Sequence, residues 1–281
     1  MHRFLGVDAV VFVEGGASTY TLQEVEKGSY NSQADDLKYW QIIFTSFASR
    51  GKFHFRAVGS KTTIMEIAAL IASGQVHHIF AAMDRDFDNL VGAIPKVAGV
   101  FYTLGYSWEN DVWTSAVVFA TFRKFNTAPG SEDAAKKEIE EAFLMFSKRV
   151  RRGVCVDAIL AKNNLEPLAR EKFVKVVRPV KGGPPALAAT AIKDLIRKHR
   201  LNTRPARVFG GGIKVDVLGD CQGHLLENFG YHLLVYVLSK YCKIKTTPRD
   251  LLVPAAIDAF SYVIQINSAL KMHYSGLFSA I

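Results

Sequence analysis

The chain has 281 residues, of which 49% are hydrophobic and 22% are charged, with 35 lysines and arginines against 26 acidic residues. This apolar share and the lack of low-complexity tracts exclude a disordered chain, and no uncharged apolar run reaches the length of about 18 residues that is typical of polytopic membrane proteins. Three cysteines and the lack of a secretory signal favour a cytoplasmic protein over a disulfide-bonded secreted scaffold.

The first hundred residues alternate between strand-like and helix-like patterns. Apolar, β-branched runs predict strands over 8–13, 53–58, 77–83 and 97–102. Apolar side chains at helical spacing predict helices over 36–49 and 62–73. Because strands that alternate with helices form βαβ units, we expect an α/β fold with a mainly parallel, Rossmann-like sheet.

Helical patterns dominate the remainder of the chain. They predict helices over 109–124, 131–149, 186–199, 225–241 and 254–272. Two short runs, 173–177 and 213–218, are predicted as strands, and the ranges 179–185 and 202–205, which contain proline and glycine, as loops. We therefore expect an α/β core (1–115), a helical basic insertion (116–212), and a C-terminal strand and helices that pack on the core (213–281).

The net charge of +9 is unevenly distributed. Residues 1–147 hold 13 basic and 17 acidic side chains, residues 148–214 hold 17 and 4, and residues 215–281 hold five of each. The middle block contains two basic clusters. They are Lys148, Arg149, Arg151 and Arg152, and then Arg197, Lys198, Arg200, Arg204 and Arg207. Such clusters neutralise nucleic-acid phosphates, so we expect a nucleic-acid partner; a solvated helix face is the alternative.

Acidic residues directly follow two of the predicted strands. Glu14 follows the first strand, and Asp84, Asp86 and Asp88 follow the third at alternating positions that would point the same way in extended backbone. Functional side chains of parallel sheets collect at the carboxyl ends of strands, and oxygen ligands of this type suit Mg²⁺ or Mn²⁺. A helix cap or turn is the alternative for Glu14 and Gly15, and the start of a calcium loop is the alternative for the DxDxD run. A calcium loop is excluded, because the run lacks the required sixth-position Gly and twelfth-position Glu.

Several segments carry a family pattern. They are VFVEG (11–15), DDLKYWQIIF (35–44), AVGSKTTIMEI (57–67), AAMDRDFDN (81–89), FYTLGYSWENDVW (101–113) and, more weakly, QGHLLENF (222–229). Together they resemble the Toprim fold of primases, topoisomerases and nucleases. The resemblance is closer to the bacterial Toprim family of AriB, the nuclease effector of the PARIS anti-phage system. It covers 8–113 well and 114–221 thinly.

The resemblance implies roles for individual side chains. Glu14 would be the general base or a metal-linked carboxylate, and Asp84 and Asp86 would hold Mg²⁺. Glu109 would be a further metal ligand, or alternatively an acid that complements a helix dipole. Lys61, at a predicted helix start, would contact phosphate, or alternatively would be an ordinary surface lysine.

One position departs from the family's Glu-Gly-x-x-Asp pattern. Ser18 stands where the aspartate is expected, and the matching residue is Asp36, displaced by an insert covering about residues 16–34. The role of Asp36 therefore stays open, and the insert is interpreted as a lid or a partner-binding loop. Asp88 is interpreted as a structural residue, or as one that supports the metal ligands without binding the ion itself.

By the resemblance, the chain is a Mg²⁺-dependent endonuclease and a toxic effector of anti-phage defence by abortive infection, held by an ABC-type ATPase partner until infection. The expected substrate is tRNA, with duplex DNA as the alternative, because nothing in the sequence reads the 2′-hydroxyl. A non-catalytic nucleic-acid or partner-binding module with a degenerate Toprim site is a further alternative. Wide apolar faces on the last two predicted helices are assigned to the core, or alternatively to a homodimer or partner interface.

Two other patterns fail on spacing. The run GSKT at 59–62 lacks the upstream glycine of a Walker A loop, so we expect no ATP hydrolysis. Cys221, His224, His232 and Cys242 match no standard zinc spacing. For His224, a core or capping role is favoured over proton transfer or phosphate contact.

Overall fold

The computed structural model describes residues 5–48, 50–92, 94, 96–127, 130–169, 175–198 and 214–279. The chain forms two compact units. The first comprises Met1–Arg85, Ile94–Leu104 and Ser261–Ile281, and the second comprises Asp86–Ala93 and Gly105–Phe260. The three-part functional division stays a prediction.

In chain order, the described elements are β1 (Ala9–Val13), α1 (Leu22–Glu26), α2 (Asp35–Phe47), β2 (Phe53–Ala57), α3 (Lys61–Ala72), β3 (Ile79–Met83), α4 (Asp88–Val91), β4 (Val100–Tyr102), α5 (Trp108–Val112), α6 (Ser115–Phe125), α7 (Glu132–Lys162), β5 (Val177–Val180), β6 (Gly183–Leu187), α8 (Ala189–Lys198), α9 (Gly223–Cys242), α10 (Arg249–Ile266) and α11 (Ser268–Phe278).

A four-stranded sheet forms the centre of the first unit. Its strand order is β2-β1-β3-β4, and every neighbouring pair is parallel. Val13 of β1 pairs with Ala57 of β2 and Ala82 of β3, so the carboxyl ends of these strands lie at one edge of the sheet. The predicted α/β class and mainly parallel sheet are confirmed.

Helices cover both faces of this sheet, which explains why its strands are near-continuous apolar runs. On one face, Val10 and Phe12 of β1 pack with Ile64 and Ile67 of α3. On the other face, the buried ring of Phe44 in α2 is the centre of an aromatic cluster. The rings of Phe53, Phe55, Phe80, Phe101 and Phe278 surround it at centroid distances of 4.9–5.9 Å.

The long helix α9 organises the second unit, where it packs against α5, α6, α7 and the strands β5 and β6. Its contact with the chain after α5 depends on glycine. A Cβ atom on Gly230 would lie 2.6 Å from the ring of the fully buried Trp113. A glycine at this position therefore lets the two segments approach closely.

A carboxylate on α7 also ties this helix to α9. Glu138 accepts hydrogen bonds from Tyr236, Lys240 and Tyr241 at 2.7–3.0 Å. Burial alone would raise the pKa of Glu138, but the hydrogen bonds from Lys240 and the two tyrosines outweigh burial and lower it. The ionised form of Glu138 therefore stabilises this helix pair.

Two predicted helices differ in their boundaries from the helices of the structure. The helix predicted over 109–124 is divided into α5 and α6, because Trp113 leaves the helical conformation and Thr114 caps α6 by accepting from the amide of Val117. The helix predicted over 131–149 continues to Lys162, so the first basic cluster lies inside α7 rather than at its end.

The predicted loop 179–185 is instead an antiparallel hairpin of β5 and β6. Pro179 lies at a register shift between Arg178 and Val180. Proline, which lacks an amide hydrogen, occurs in sheets mainly at such irregularities and on edge strands. The strand predicted over 213–218 is wrong for 214–218, which form turn and irregular structure. The predicted loop 202–205 lies entirely outside the described residues, as do 170–174 and the rest of 199–213. The predicted strand 173–177 overlaps β5 only at Val177.

The last predicted helix, 254–272, is also wrong in its bounds. It is two helices, α10 and α11, separated at Asn267, whose side chain caps α11. Pro254 lies inside α10, while the carbonyl of Pro248 accepts from the amides of Leu251 and Leu252 at the helix start. Within the described part of the chain, no single helix has the length and apolar composition to cross a membrane. Only the bent pair α10–α11, taken together, is long and apolar enough.

Candidate functional site

The carboxyl ends of β1 and β3 carry the first predicted site residues. The chain leaves β1 for β2 on one side and then enters β3 on the other, so the strand order reverses between β1 and β3. Parallel α/β sheets bind ligands in the crevice at such a switch point. Glu14 directly follows β1, and Asp84 directly follows β3.

Glu14 and Asp84 are in direct contact. The Glu14 amide donates to the carbonyl of Ala82 at 2.9 Å and so extends the β1–β3 pairing by one residue. The Asp84 amide donates to the carboxylate oxygen Oε2 of Glu14 at 3.2 Å. Both residues are partly buried. The structure thus brings together two predicted residues that are 70 positions apart in the chain.

Lys61 reaches the same edge of the sheet from the first turn of α3. Ser60 caps this helix by accepting from the amide of Thr63 at 3.3 Å. The Lys61 ammonium then donates to the backbone carbonyl of Asp84 at 3.1 Å. A cation therefore lies beside the Glu14–Asp84 pair, as a phosphate-binding group would need to.

Asp36 lies against Gly15, the residue after Glu14. A Cβ atom built on Gly15 would be 2.3 Å from Cγ of Asp36 and 2.4 Å from its Oδ1. The φ angle of Gly15 is +124°, which L side chains rarely adopt. Two features therefore require glycine at this position: the positive φ angle and the lack of space for a Cβ atom. The insert leaves the Asp36 carboxylate next to the end of β1.

The insert at 16–34 is anchored by Asn31. Its side-chain amide donates to the carbonyls of Ser18 at 2.7 Å and Ala57 at 3.2 Å, and its backbone forms an antiparallel bridge with Ala57. The Thr63 hydroxyl donates to the carbonyl of Tyr20 at 2.6 Å. The insert thus packs at the carboxyl end of β2 and the start of α3, next to the Glu14–Asp84 pair; its role as a lid or partner loop stays a prediction.

Asp86 and Asp88 belong to the second unit. Asp86 has a left-handed φ of 51°, which aspartate tolerates better than most residues, and its amide donates to the carbonyl of Tyr106 at 2.7 Å. Asp88 is the first residue of α4. The expectation of an extended Asp84–Asp86–Asp88 run is therefore wrong, because the chain turns at Asp86.

Glu109, the remaining predicted metal ligand, belongs to a second group. It lies on α5, and its Oε1 is 3.0 Å from Nδ1 of His224 in the first turn of α9. Oε2 of Glu227, one turn further along α9, is 3.5 Å from the same nitrogen. The three ligand atoms all lie within 4.8 Å of one another, which makes this trio a candidate metal group within the described residues.

The charges in this group are balanced. Glu109 and Glu227 are only 4% and 7% exposed, whereas the His224 side chain is 73% exposed. Hydrogen bonds to Glu109 and then Glu227 raise the pKa of His224 to about 10, so the imidazole is protonated at neutral pH. Arg249 contacts Oε1 of Glu227 at 2.6 Å. Two cations thus face two buried carboxylates, and the interpretation of His224 as a core residue is wrong.

The sequence reasoning missed Glu227. The available signal was the spacing of His224 and Glu227, since residues three apart share one face of a helix. Nothing local in the sequence connects this pair to Glu109, which is more than a hundred residues earlier. The trio is a product of the packing of α5 on α9.

The first basic cluster lies on the solvent face of α7. Its four residues are exposed, while Val150 between them is fully buried. In the second cluster, Arg197 is exposed on α8, which packs against α7, and its guanidinium is 3.8 Å from Asp194. Lys198 is the last residue of α8. Arg200, Arg204 and Arg207 lie outside the described residues.

The two cysteines of the rejected zinc pattern have separate surroundings. Cys221 is buried, and burial raises the pKa of its thiol. The Cys221 thiol donates to the carbonyl of Leu218 at 3.5 Å. The Cys242 thiol donates to Oδ1 of Asn126. Both thiols thus have structural contacts that suit the neutral form.

No protein-family model matches the sequence, and no curated protein matches it significantly.

Proposed function

We propose that this protein is a Toprim-type, Mg²⁺- or Mn²⁺-dependent endonuclease. The observation that carries this proposal is the contact between Glu14 and Asp84 at the carboxyl ends of β1 and β3. The contact joins the Asp84 amide to the Glu14 carboxylate, so two carboxylate-bearing residues meet at the switch point of a parallel sheet. Carboxylate oxygens are ligands that suit a hard divalent cation. Asp36, beside Gly15, adds a third carboxylate within the same unit.

Residues of the first unit have separate roles in the proposed reaction. Glu14 and Asp84 would hold the metal ion, which would supply polarisation of a phosphodiester and a lowered pKa of bound water. Lys61 contacts a non-bridging phosphate oxygen, since its ammonium already lies beside Asp84. Alternatively, Glu14 would be the general base that accepts the proton of the attacking water. Asp86 is a further donor by the family resemblance alone.

The basic face of α7 suits the backbone of a nucleic-acid substrate. Four exposed cations over five consecutive positions attract phosphates without reading sequence. By the resemblance, we further propose a cytoplasmic toxic effector of anti-phage defence that cleaves tRNA and is held by an ABC-type ATPase partner. Cleavage of duplex DNA is the alternative.

The test is cleavage by the purified full-length chain. End-labelled tRNA and duplex DNA are incubated with the protein in Mg²⁺, in Mn²⁺ or in a chelator. We expect metal-dependent cleavage of tRNA. If the protein cleaves only DNA, duplex DNA is the substrate instead of tRNA. If it cleaves neither nucleic acid with either metal, the nuclease proposal is contradicted.

Two pairs of variants, each with a matched control, test whether Glu14 and Asp84 form the active site. Glu14→Gln is compared with Glu66→Gln on the exposed face of α3, and Asp84→Asn with Asp133→Asn on the exposed start of α7. We expect Glu14→Gln and Asp84→Asn to reduce the cleavage rate about 100-fold or more, because each removes a catalytic carboxylate. Full activity of both would place the site elsewhere.

A further inference from the structure

We propose that Glu109, His224 and Glu227 form a second metal site that takes a divalent transition-metal ion, Zn²⁺ or Mn²⁺. The site lies wholly within the second unit and does not depend on the proposed nuclease activity. Its donor set is two carboxylate oxygens and one imidazole nitrogen, all within 4.8 Å of one another. One ion can contact three atoms at this spacing once it replaces the proton that His224 shares with the two carboxylates, because an imidazole binds a metal ion only in its neutral form.

The local fold presents these donors to a common point. Ser107 and Asn110 form a capping box at the start of α5, which fixes the backbone on both sides of Glu109. A Cβ atom on Gly223 would lie 2.5 Å from Oε2 of Glu109. Glycine at this position thus lets the first turn of α9 come against the Glu109 carboxylate, which directs Oε1 to His224.

The start of α9 is itself held in place. Gln222, just before the helix, is buried and donates from its amide to Oδ2 of Asp157 at 2.9 Å. His224 and Glu227 are then three residues apart on one face of α9, so both point to the same side. The donors on α9 are therefore fixed by contacts that do not involve the donor atoms.

A further residue supports one ligand from outside the group. Arg249 contacts Oε1 of Glu227 at 2.6 Å and leaves Oε2 directed to His224. Carboxylate ligands of metal sites are commonly held by such a second hydrogen bond. Arg249 is thus a positioning residue, and it also offsets the charge of one buried carboxylate.

The donor types select the class of metal. Mg²⁺ and Ca²⁺ prefer oxygen ligands alone, whereas an imidazole together with carboxylates suits Zn²⁺, Mn²⁺ and their neighbours. Three protein ligands leave at least one coordination position open, as in catalytic zinc sites. Because the His224 side chain is 73% exposed, this open position faces solvent and can take water or a phosphate oxygen.

The test measures metal binding by the full-length chain that carries Glu14→Gln and Asp84→Asn, so that the acidic residues of the first unit do not contribute. Co²⁺ is the probe, because its visible absorption reports nitrogen and oxygen ligands, and Zn²⁺ and Mg²⁺ are added in competition. We expect one equivalent of Co²⁺ with a visible band, displaced by Zn²⁺ but not by Mg²⁺.

Variants at the trio then assign the site. His224→Gln and Glu227→Gln should each weaken Co²⁺ binding more than about 100-fold, since even residues that only support a ligand cost 10–100-fold. His232→Gln, on the same helix but outside the trio, is the matched control and should bind normally. Circular dichroism checks that each variant is folded.

Two results would overturn the proposed site. One is a lack of Co²⁺ and Zn²⁺ binding by the folded chain, which would make the trio an ion-pair network. The other is unchanged binding in both His224→Gln and Glu227→Gln. Because the readout is metal binding rather than cleavage, neither result bears on the nuclease proposal.

Discussion

Alanine at Gly15 should disturb the end of β1 in two separable ways. The first is backbone strain, because a residue with a Cβ atom must adopt the φ of +124°. The second is a clash, because that Cβ atom would lie 2.3–2.6 Å from three carboxyl atoms of Asp36. The clash exists only if Asp36 lies beside Gly15, so this variant tests the placement of the displaced aspartate.

Both contributions can be given a size. Strained positive-φ backbone costs about 1–3 kcal/mol, and overpacking costs about 1–3 kcal/mol more. Gly28 also has a positive φ, +99°, but a Cβ atom there meets nothing within 4 Å. Gly28→Ala should therefore show only the first cost, and Gly15→Ala should be less stable than Gly28→Ala by about 1–3 kcal/mol.

Urea unfolding, followed by circular dichroism, measures these differences. Adding Asp36→Ala to Gly15→Ala should recover about 1–3 kcal/mol, because the three clashing atoms are removed. Adding Asp36→Asn should recover little, since the amide has the same shape as the carboxylate. Equal stabilities of Gly15→Ala and Gly28→Ala, with no coupling to Asp36, would refute the placement of Asp36 beside Gly15.

Three further predictions concern the rest of the chain. Lys61→Gln should lower the cleavage rate tenfold or more, while Lys61→Arg should keep part of it, in assays at fixed metal concentration. Replacing Arg151 and Arg152 together by glutamine should reduce the slope of log binding constant against log salt by roughly 1.4–1.8, measured by filter binding; an unchanged slope would exclude α7 from the interface. Glu138→Gln should cost about 1–2 kcal/mol of stability. Because the pKa of Glu138 is lowered in the folded state, its contribution is present above the ordinary value of 4.5 and is lost as the pH falls through the folded value, so wild type and variant should converge in acid.

The strands of the first unit could be predicted because each is a short apolar run bounded by turn residues. Because the carboxyl ends of parallel strands lie at one edge of a sheet, the predicted strands also placed Glu14 and Asp84 at the same edge. The position of Asp36 could not be predicted in the same way. It depends on how the insert closes, and Asn31 closes it through hydrogen bonds to Ser18 and Ala57 that no local pattern announces.

The errors in the second unit have local causes. Thr114 caps a second helix inside an uninterrupted apolar pattern. The spacing of apolar residues does not show such a cap, so it predicts one long helix. Proline and glycine between β5 and β6 indicated a loop, although Pro179 fits a register shift in an edge pair. The Glu109–His224–Glu227 trio depends on the packing of α5 on α9, which periodicity alone does not specify.

The central claim is that the catalytic metal binds at the carboxyl ends of β1 and β3. Anomalous scattering from crystals of the full-length chain grown with Mn²⁺ tests it most directly, because the peak locates the ion without reference to activity. We predict a peak bonded to the carboxylates of Glu14 and Asp84. Mn²⁺ found only at Glu109, His224 and Glu227, or bound away from β1 and β3 in protein that cleaves nucleic acid, would contradict the claim.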